Sequence, residues 1–292
     1  MKGLVLKGIG GFYYVETDEG LIEARGRGIL KKEGVKLSVG DVVDISIIDL
    51  ANKKGIIENI FPRKNVFIRP PIANVDSFFI VFSVSSPKPS LPLIDKFIIM
   101  AEMNEAEPII VINKCDLASP EHLQEMVNVY CNFYKVVTVC GKTGDGIDQL
   151  ELLAKDKTVA LAGPSGVGKS TIVNRLIPDA NMQTGEISSK SLRGKHTTRH
   201  AELFALKSGG KIFDTPGFTS FDILNATEQE LGHYYPEFGE YAEKCAFNNC
   251  IHMNEPNCFV KEGVKAGNIS KIRYNSYICN LKEILNKSRN EY

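Results

Sequence analysis

Four features are missing from this chain of 292 residues, and each absence argues against a class of protein. No apolar run approaches the ~20 residues of a membrane span, and the N-terminus has no apolar core of signal-peptide length. The seven cysteines are an odd number, which argues against a closed disulfide framework. The formal net charge is +0, so the chain is not globally basic. We therefore expect a cytoplasmic globular protein of two or three domains.

Residues 1–67 are predicted to form a small OB-type β-barrel. Short runs of alternating apolar and polar residues, such as 12–16 and 21–25, are separated by turns and by no long helical pattern. Short strands at this spacing are typical of a small antiparallel barrel. Residues 1–72 carry 12 Lys and Arg against 9 Asp and Glu, a net charge of +3. That excess fits either a local nucleic-acid contact or a solvated face.

The next part of the chain alternates strands with helices, which is typical of a parallel α/β sheet. The runs 77–82 and 107–112 are continuously apolar, as in strands that are buried on both faces. Gly209 and Gly210 separate two further short strands and indicate a hairpin. We expect this P-loop type of α/β fold to extend over residues 68–225.

The segment 163–170 reads GxxxxGK[ST], the phosphate-binding loop, and stands between a predicted strand and a predicted helix. Backbone N–H groups and the helix N-terminus would hold the phosphates. Lys169 can reach the β- and γ-phosphates, and Ser170 can coordinate Mg²⁺. The predicted nucleotide-binding residues of this segment are Gly163, Pro164, Ser165, Gly166, Val167, Gly168, Lys169, Ser170 and Thr171.

The tetrapeptide 113–116 reads NKxD and follows a predicted strand, at the edge where open α/β sheets bind ligands. The Asp116 carboxylate can accept hydrogen bonds from N1–H and the 2-amino group of guanine. Adenine offers neither donor and would leave this carboxylate unpaired, which is costly. Lys114 can lie along the base and Asn113 can tie the loop, while Cys115 fills the variable position.

A second base-contacting loop is predicted at Cys140, Gly141 and Lys142, after the next strand. Such loops usually read Ser-Ala-Lys, and this chain departs from that pattern at two of the three positions. A backbone N–H that donates to guanine O6 survives the change, so the loop stays among the predicted nucleotide-binding residues.

Residues 214–217 match DxxG and are predicted to respond to the γ-phosphate. Asp214 would hold Mg²⁺ through water, and the Gly217 N–H would contact the γ-phosphate. Upstream, Thr198 is the predicted threonine ligand of Mg²⁺, and Thr197 is the alternative.

The residue that usually orients the attacking water is absent. Ras-like GTPases place glutamine directly after DxxG, where this chain has Phe218. Intrinsic hydrolysis should therefore be slow. Lys169 and His196 are the catalytic candidates, and His196 would position the water once a partner orders its loop. A switch histidine without a catalytic role is an equally weighted alternative.

In residues 226–292 we expect a mostly helical domain around four metal-ligating side chains, Cys245, Cys250, His252 and Cys258. Three thiolates and one imidazole suit tetrahedral Zn²⁺, and four protein ligands leave no position for a catalytic water. The predicted zinc ion is therefore structural and staples a segment too short to build its own core. Free cysteines beside a chance histidine are the alternative.

The order of these motifs is reversed, because NKxD follows the phosphate loop in an ordinary small GTPase. A circularly permuted GTPase domain explains the reversal. The order NKxD, GPSGVGKS, HTT, DTPGF and then C-x4-C-x-H-x5-C, behind an OB-like barrel, resembles the RsgA (YjeQ/YloQ) family of ribosome small-subunit-dependent GTPases over the whole chain.

The resemblance implies an OB-fold RNA-binding domain, a permuted GTPase domain and a zinc-binding helical domain, with limits at 1–67, 68–225 and 226–292. It implies GTP hydrolysis that the 30S subunit stimulates during its late maturation, by a monomer that contacts 16S rRNA and no membrane. The implied ligands are GTP or GDP, Mg²⁺ and one structural Zn²⁺. The candidate RNA-binding residues of the barrel are Phe12, Tyr13, Tyr14, Arg25, Arg27, Lys31 and Lys32.

Two other functions fit the same residues. The chain could be an RNA-binding assembly factor in which the nucleotide only sets affinity, or a translation factor that acts on 70S ribosomes. The permutation also places DxxG shortly before the zinc-binding region. That placement gives the hypothesis that hydrolysis repositions a rigid, ribosome-contacting domain.

Overall fold

The computed structural model describes residues 1–28, 34, 36–177, 201–214 and 226–290. In chain order these residues form a closed β-barrel, a mostly parallel sheet with helices, and a group of short helices that ends in one long helix. Within the described ranges, no helix has the length and apolar character that crossing a membrane requires.

Five strands close the N-terminal barrel: β1 Lys2–Ile9, β2 Phe12–Thr17, β3 Gly20–Gly26, β4 Val42–Asp49 and β5 Lys54–Ile60. Their order is β1-β2-β3-β5-β4, and β1 also pairs with β4. Strands β3 and β5 are parallel, and the other pairs are antiparallel. Alternate side chains fill the interior, where Val5, Val15, Ile22, Val43 and Ile57 are 0% exposed. The predicted OB-type barrel is confirmed.

A small hairpin, β6 Val66–Phe67 and β7 Ile72–Ala73, connects the barrel to the second sheet. The Asn65 side chain ties this hairpin down, because its amide donates to Val75 O at 2.8 Å and to Asn104 O at 2.9 Å. The predicted domain limit at residue 67 falls inside the hairpin, and the domain limits stay a prediction.

The central sheet has six strands: β8 Ser77–Ser83, β9 Glu107–Asn113, β10 Lys135–Thr138, β11 Thr158–Ala162, β12 Glu202–Ala205 and β13 Lys211–Asp214. Their order is β10-β9-β8-β11-β13-β12, with all pairs parallel except β12–β13, the predicted hairpin. Every residue of β8 is buried, as expected for a strand covered on both faces. The helices around this sheet are α1 Leu91–Met103, α2 Pro120–Tyr130, α3 Ile147–Leu153 and α4 Lys169–Leu176.

The barrel and the central sheet form one continuous sheet of eleven strands, because β1 pairs with β12 at Lys7 and Glu202. Among the described residues, two ion pairs flank this strand pairing. Lys7 Nζ lies 2.6 Å from Glu202 Oε2, and Lys211 Nζ lies 2.9 Å from Glu16 Oε2. The barrel residue Val39 also packs in the hydrophobic core of the central domain.

The C-terminal part contains α5 Gly239–Ala242, α6 Phe259–Lys265 and α7 Lys271–Asn290, with 3-10 turns at Leu231–Tyr234 and Pro236–Phe238. A buried charge network holds it against α1 and α2. Arg273 donates to Asp95 and, at 2.7 Å, to Glu237 Oε1, and each of these three side chains is at most 3% exposed. Ser276 and Tyr130 also donate to Asp95. The junction on this side is therefore both charged and dry.

Candidate nucleotide and metal sites

Three predicted nucleotide loops meet at the side chain of Asn113, which is 2% exposed. Its amide nitrogen donates to Val167 O of the phosphate loop at 2.7 Å. Its amide oxygen accepts from Gly141 N–H of the second base loop at 3.0 Å and from Lys114 N–H at 2.8 Å. One buried amide therefore holds together the loops that would bind base and phosphate.

Two positions of the phosphate loop accept only glycine. Gly163 has a φ of 142°, and a Cβ there would lie 2.0 Å from Val81 O. Gly168 has a φ of 95°, and its Cβ would lie 2.3 Å from the Asn113 amide nitrogen. The loop is thus pressed against β8 and against the NKxD segment, in a backbone conformation that side chains disfavour.

Lys169 folds back over the phosphate loop. Its Nζ donates to Gly163 O at 2.6 Å and to Pro164 O at 2.8 Å. Burial lowers the pKa of Lys169 to about 8, because the ammonium group has lost water without gaining an anionic partner among the described residues. An anionic phosphate at this loop would supply the missing counter-charge.

Asp116, the side chain predicted to read the base, is exposed at the same edge of the sheet. The Cys140 thiol donates to its Oδ1 at 3.2 Å and orients the carboxylate. Lys114 has a φ of 62°, and its Nζ bridges Ser86 O at 2.7 Å and Gly166 O at 2.8 Å. The Lys114 stem thereby spans from NKxD to the phosphate loop.

Two residues that sequence reasoning missed complete this arrangement. Arg175 of α4 donates to Gly141 O at 3.1 Å and to Lys142 O, so it fixes the second base loop. Ser86 accepts from Lys114. Arg175 follows Thr171 by one helical turn, on the face that meets Gly141, and this spacing was the available signal. Ser86 carries no motif.

Asp214 stands at the end of β13 with Oδ1 buried, and this atom has no hydrogen-bond partner among the described residues. Burial raises the pKa of Asp214, Glu202 raises it further, and Lys7 opposes the shift. A buried carboxylate oxygen without a partner, together with the Ser170 hydroxyl at the start of α4, fits the oxygen ligands that Mg²⁺ prefers. The other predicted switch residues, His196, Thr197, Thr198, Gly217 and Phe218, lie outside the described residues.

The barrel surface places some of its candidate residues together. The Arg25 guanidinium lies over the Phe12 ring at 4.1 Å, which gives an exposed cation beside an aromatic face. Tyr13 packs against the barrel core, and burial raises its pKa. Tyr14 donates a hydrogen bond to Glu23, and Arg27 donates one to Glu58. Lys31 and Lys32 lie outside the described residues.

The four predicted metal ligands are close together in the C-terminal part. Cys245, Cys250, His252 and Cys258 offer ligand atoms within 4.8 Å of one another. His252 Nδ1 lies 3.6 Å from Cys245 Sγ and 3.5 Å from Cys258 Sγ, and these two sulfurs are 3.9 Å apart. Zn–S bonds of about 2.3 Å require sulfurs about 3.8 Å apart in a tetrahedron. The cluster therefore has the size of a tetrahedral metal site.

Hydrogen bonds to the backbone around the cluster hold its loop. Glu255 accepts from the N–H groups of Ile251, Met253 and Asn254 at 2.8–3.0 Å. Burial acts to raise the pKa of Glu255, but these N–H donors outweigh it and leave the pKa below its usual value. Tyr274 donates to His252 O at 2.8 Å, so the long helix α7 also anchors the loop.

Comparison with known proteins gives consistent matches over the whole chain. The family models for the RsgA GTPase and for the RsgA N-terminal domain match residues 60–224 and 2–57. A protein of Alkaliphilus metalliredigens named small ribosomal subunit biogenesis GTPase RsgA is 47% identical over 289 residues, which cover 99% of each chain. A relative of the same name from Caldanaerobacter subterraneus subsp. tengcongensis is 43% identical and covers 100% of this chain and 98% of its own.

Two solved structures are similar in fold. The crystal structure of YjeQ from Thermotoga maritima matches with a TM-score of 0.85 and 37% identity, over 97% of this chain and 98% of that chain. YloQ, whose title describes a circularly permuted GTPase, matches with a TM-score of 0.82 and 35% identity, over 98% and 95%. The permuted order that the motifs predict therefore agrees with a solved fold.

Proposed function

The chain belongs to the RsgA GTPase family and is therefore a GTP hydrolase, and we propose that it works by Mg²⁺-dependent attack of water on the γ-phosphate. The observation that carries this mechanism is the convergence of three loops on the Asn113 side chain. Base recognition and phosphate binding require these loops at one place, and one buried amide joins them.

Guanine is the base that this site would select. Asp116 is exposed for an incoming base, and the Cys140 thiol occupies only one of its carboxylate oxygens. The carboxylate keeps lone pairs for N1–H and the 2-amino group of guanine. The Gly141 N–H, a candidate donor to guanine O6, already donates to Asn113, so binding through that group requires a local exchange of hydrogen bonds.

For hydrolysis, Lys169 would exchange the carbonyls of Gly163 and Pro164 for phosphate oxygens, which restores the solvation that its ammonium group has lost. Ser170 and Asp214 would hold Mg²⁺, with Thr198 or Thr197. When bound, Mg²⁺ neutralises charge on the β- and γ-phosphates. His196 remains the proposed residue that positions water, and Gly217 the proposed γ-phosphate contact.

The proposed partner is the 30S ribosomal subunit, through 16S rRNA. The relatives are named as small ribosomal subunit biogenesis GTPases, and the similarity covers the whole chain. The cation of Arg25 over the Phe12 ring supports an RNA-facing barrel surface, because ring faces and guanidinium planes both stack on bases. We propose that the monomer acts in the cytoplasm in late maturation and that the subunit stimulates turnover.

We further propose that the Cys245, Cys250, His252 and Cys258 cluster holds one structural Zn²⁺. Three sulfurs and one ring nitrogen form the ligand set that zinc prefers, and the cluster has the dimensions of a tetrahedral site. With four protein ligands, the ion would serve stability rather than catalysis.

The decisive experiment measures GTP turnover with and without purified 30S subunits, beside the Asp116→Ala chain. We expect the native chain to turn over GTP slowly without 30S subunits and clearly faster with them. The Asp116→Ala chain should lose both the basal and the stimulated turnover. Stimulation by 70S ribosomes in place of 30S would favour a translation factor. Binding to 30S that depends on nucleotide, without stimulated turnover, would favour an assembly factor in which nucleotide only sets affinity.

A further inference from the structure

Three charged side chains form a row across the junction between barrel and GTPase domain. Lys7 on β1 stands opposite Glu202 on β12, and Glu202 stands opposite Asp214 on β13. Residues directly opposite each other in antiparallel strands point to the same face of the sheet. The row therefore leads from the barrel to the carboxylate proposed to hold Mg²⁺.

Within this row, Lys7 and Glu202 form an ion pair, in which Asp214 takes no part. The Lys7 ammonium contacts the Glu202 carboxylate at 2.6 Å, with about a third of each side chain exposed (32% and 31%). Asp214 Oδ1 is buried and has no hydrogen-bond partner in the described part of the chain. Among the described residues, the charge beside Asp214 thus depends on whether Lys7 stays on Glu202.

We propose that Glu202 is a positioning residue for the magnesium carboxylate Asp214, and that Lys7, acting through Glu202, makes Mg²⁺ affinity depend on the position of the barrel. This inference rests on the proposed function, in which Asp214 binds Mg²⁺ with the nucleotide. With Lys7 in place, the row carries a net charge of −1. If the barrel shifts and withdraws Lys7, the charge near the metal becomes −2 and Mg²⁺ is held more tightly.

The exposure of the Lys7–Glu202 ion pair is consistent with a contact that opens when the barrel moves. An ion pair whose side chains are about a third exposed contributes little to stability, so a partner that pulls on the barrel could separate it. The loss of the Lys7 charge would nevertheless affect Mg²⁺ binding, because one elementary charge interacts with the two charges of the ion. Binding of the barrel to a partner would then change the Mg²⁺ affinity without any movement of the phosphate loop.

The test exploits the fact that Lys7→Met and Glu202→Gln break the same ion pair but change the local charge in opposite directions. The measurement is the Mg²⁺ concentration at which release of a fluorescent GDP analogue is half-slowed. We expect this concentration to fall about 3- to 10-fold in Lys7→Met and to rise about 3- to 10-fold in Glu202→Gln, the order expected for one charge at a partly exposed site. The double variant should return to within about twofold of the native value, because its net charge is again −1.

The second ion pair of the junction supplies a matched control. Glu16→Gln and Lys211→Met remove a contact between the same two domains, at the far end of β13 from Asp214. Both should leave the Mg²⁺ midpoint within about twofold, since a charge at greater distance is screened by solvent and salt. If Lys7→Met merely loosened the barrel, Glu16→Gln would act in the same way.

Shifts of the same sign in Lys7→Met and Glu202→Gln would overturn the inference, and so would no shift in either. A native chain whose GDP release does not respond to Mg²⁺ at all would instead overturn the proposed function. A further expected result is that the difference between the two single variants shrinks at about 0.5 M salt, where exposed charges are screened over a few ångströms.

Discussion

Replacement of Arg273 by methionine should loosen the C-terminal helices from the GTPase domain. Asp95 and Glu237 are 1% and 3% exposed at their side chains, and Arg273 is the cation that pairs with both. Removing one member of a buried ion pair costs about 3–5 kcal/mol, because a charge is left behind without a partner. The Arg273→Met chain should lose stability of that order at neutral pH.

The loss should depend on pH in a definite direction. Burial raises the pKa of Asp95 to about 6, while Arg273, Ser276 and Tyr130 oppose the shift. A raised carboxyl pKa means that the folded state holds the proton more tightly than the unfolded state. This group therefore costs nothing below its unfolded pKa of about 4 and costs most above pH 6. Without Arg273 the pKa rises further, so Arg273→Met should be more destabilising at pH 8 than at pH 5.5.

The Asp95→Asn chain separates charge from packing. An amide keeps an acceptor for Tyr130 and for Arg273, and Arg273 keeps its pair with Glu237. The variant should therefore lose less than about 2 kcal/mol, the order of one or two hydrogen bonds, and should lack the pH dependence that the carboxyl group causes. A loss as large as that of Arg273→Met would show that the network acts through packing alone.

Hydrogen exchange of α1 and α7 is the suitable assay, because a chain of several domains need not unfold in two states. The matched control is Lys96→Met, which removes the Lys96–Glu283 ion pair across the same α1–α7 contact. Glu283 is 58% exposed at its side chain, so this pair should contribute about 0–1 kcal/mol. Equal loss of protection in Arg273→Met and Lys96→Met would refute the assignment of a buried, dominant pair.

Three other outcomes are expected. Gly168→Ala should abolish binding of a fluorescent GDP analogue, since its Cβ would lie 2.3 Å from the Asn113 amide nitrogen at a φ of 95°; retained binding would contradict the tight loop contact. Cys140→Ala should weaken GDP binding about 2- to 10-fold in a fluorescence titration, the order of one hydrogen bond, whereas Cys140→Ser should preserve it by donating to Asp116. Cys258→Ser should lower the thermal unfolding midpoint, and a strong chelator should lower it in the native chain but not further in the variant; a native chain indifferent to chelator would argue against a structural metal.

The parts of the site that could be predicted from the sequence are those whose chemistry is local. The phosphate loop needs glycines and a lysine at fixed spacing, and the metal cluster needs four ligands within fourteen residues. Each pattern is short enough for the chain to display it without its fold. The alternating runs of the barrel and the continuously apolar runs of the central sheet likewise show how many faces of each strand are buried.

The contacts that could not be predicted join distant parts of the chain. Lys7 and Glu202 are 195 positions apart, and each is an ordinary charged residue in its own strand. Arg273 lies in a polar helix and would be assigned to the surface, yet its side chain is 3% exposed. Their roles come from packing of domains, which leaves no periodic or motif signal.

The barrel and the C-terminal region are attached to the permuted GTPase domain by different kinds of interaction. The sequence suggested that hydrolysis repositions the zinc-binding region, because the chain enters it shortly after DxxG. That region, however, is held to α1 by the buried pair of Arg273 and Asp95, and separating them would expose both charges, together with that of Glu237, from a dry interface. Among the described residues, the barrel is held by the β1–β12 pairing, by hydrogen bonds between Val39 and the β6–β7 hairpin, by apolar contacts and by ion pairs that solvent already reaches. Because the barrel junction costs less free energy to open, we expect relative movement between the barrel and the GTPase domain. At that junction the row from Lys7 to Asp214 would convert the movement into a change of Mg²⁺ affinity.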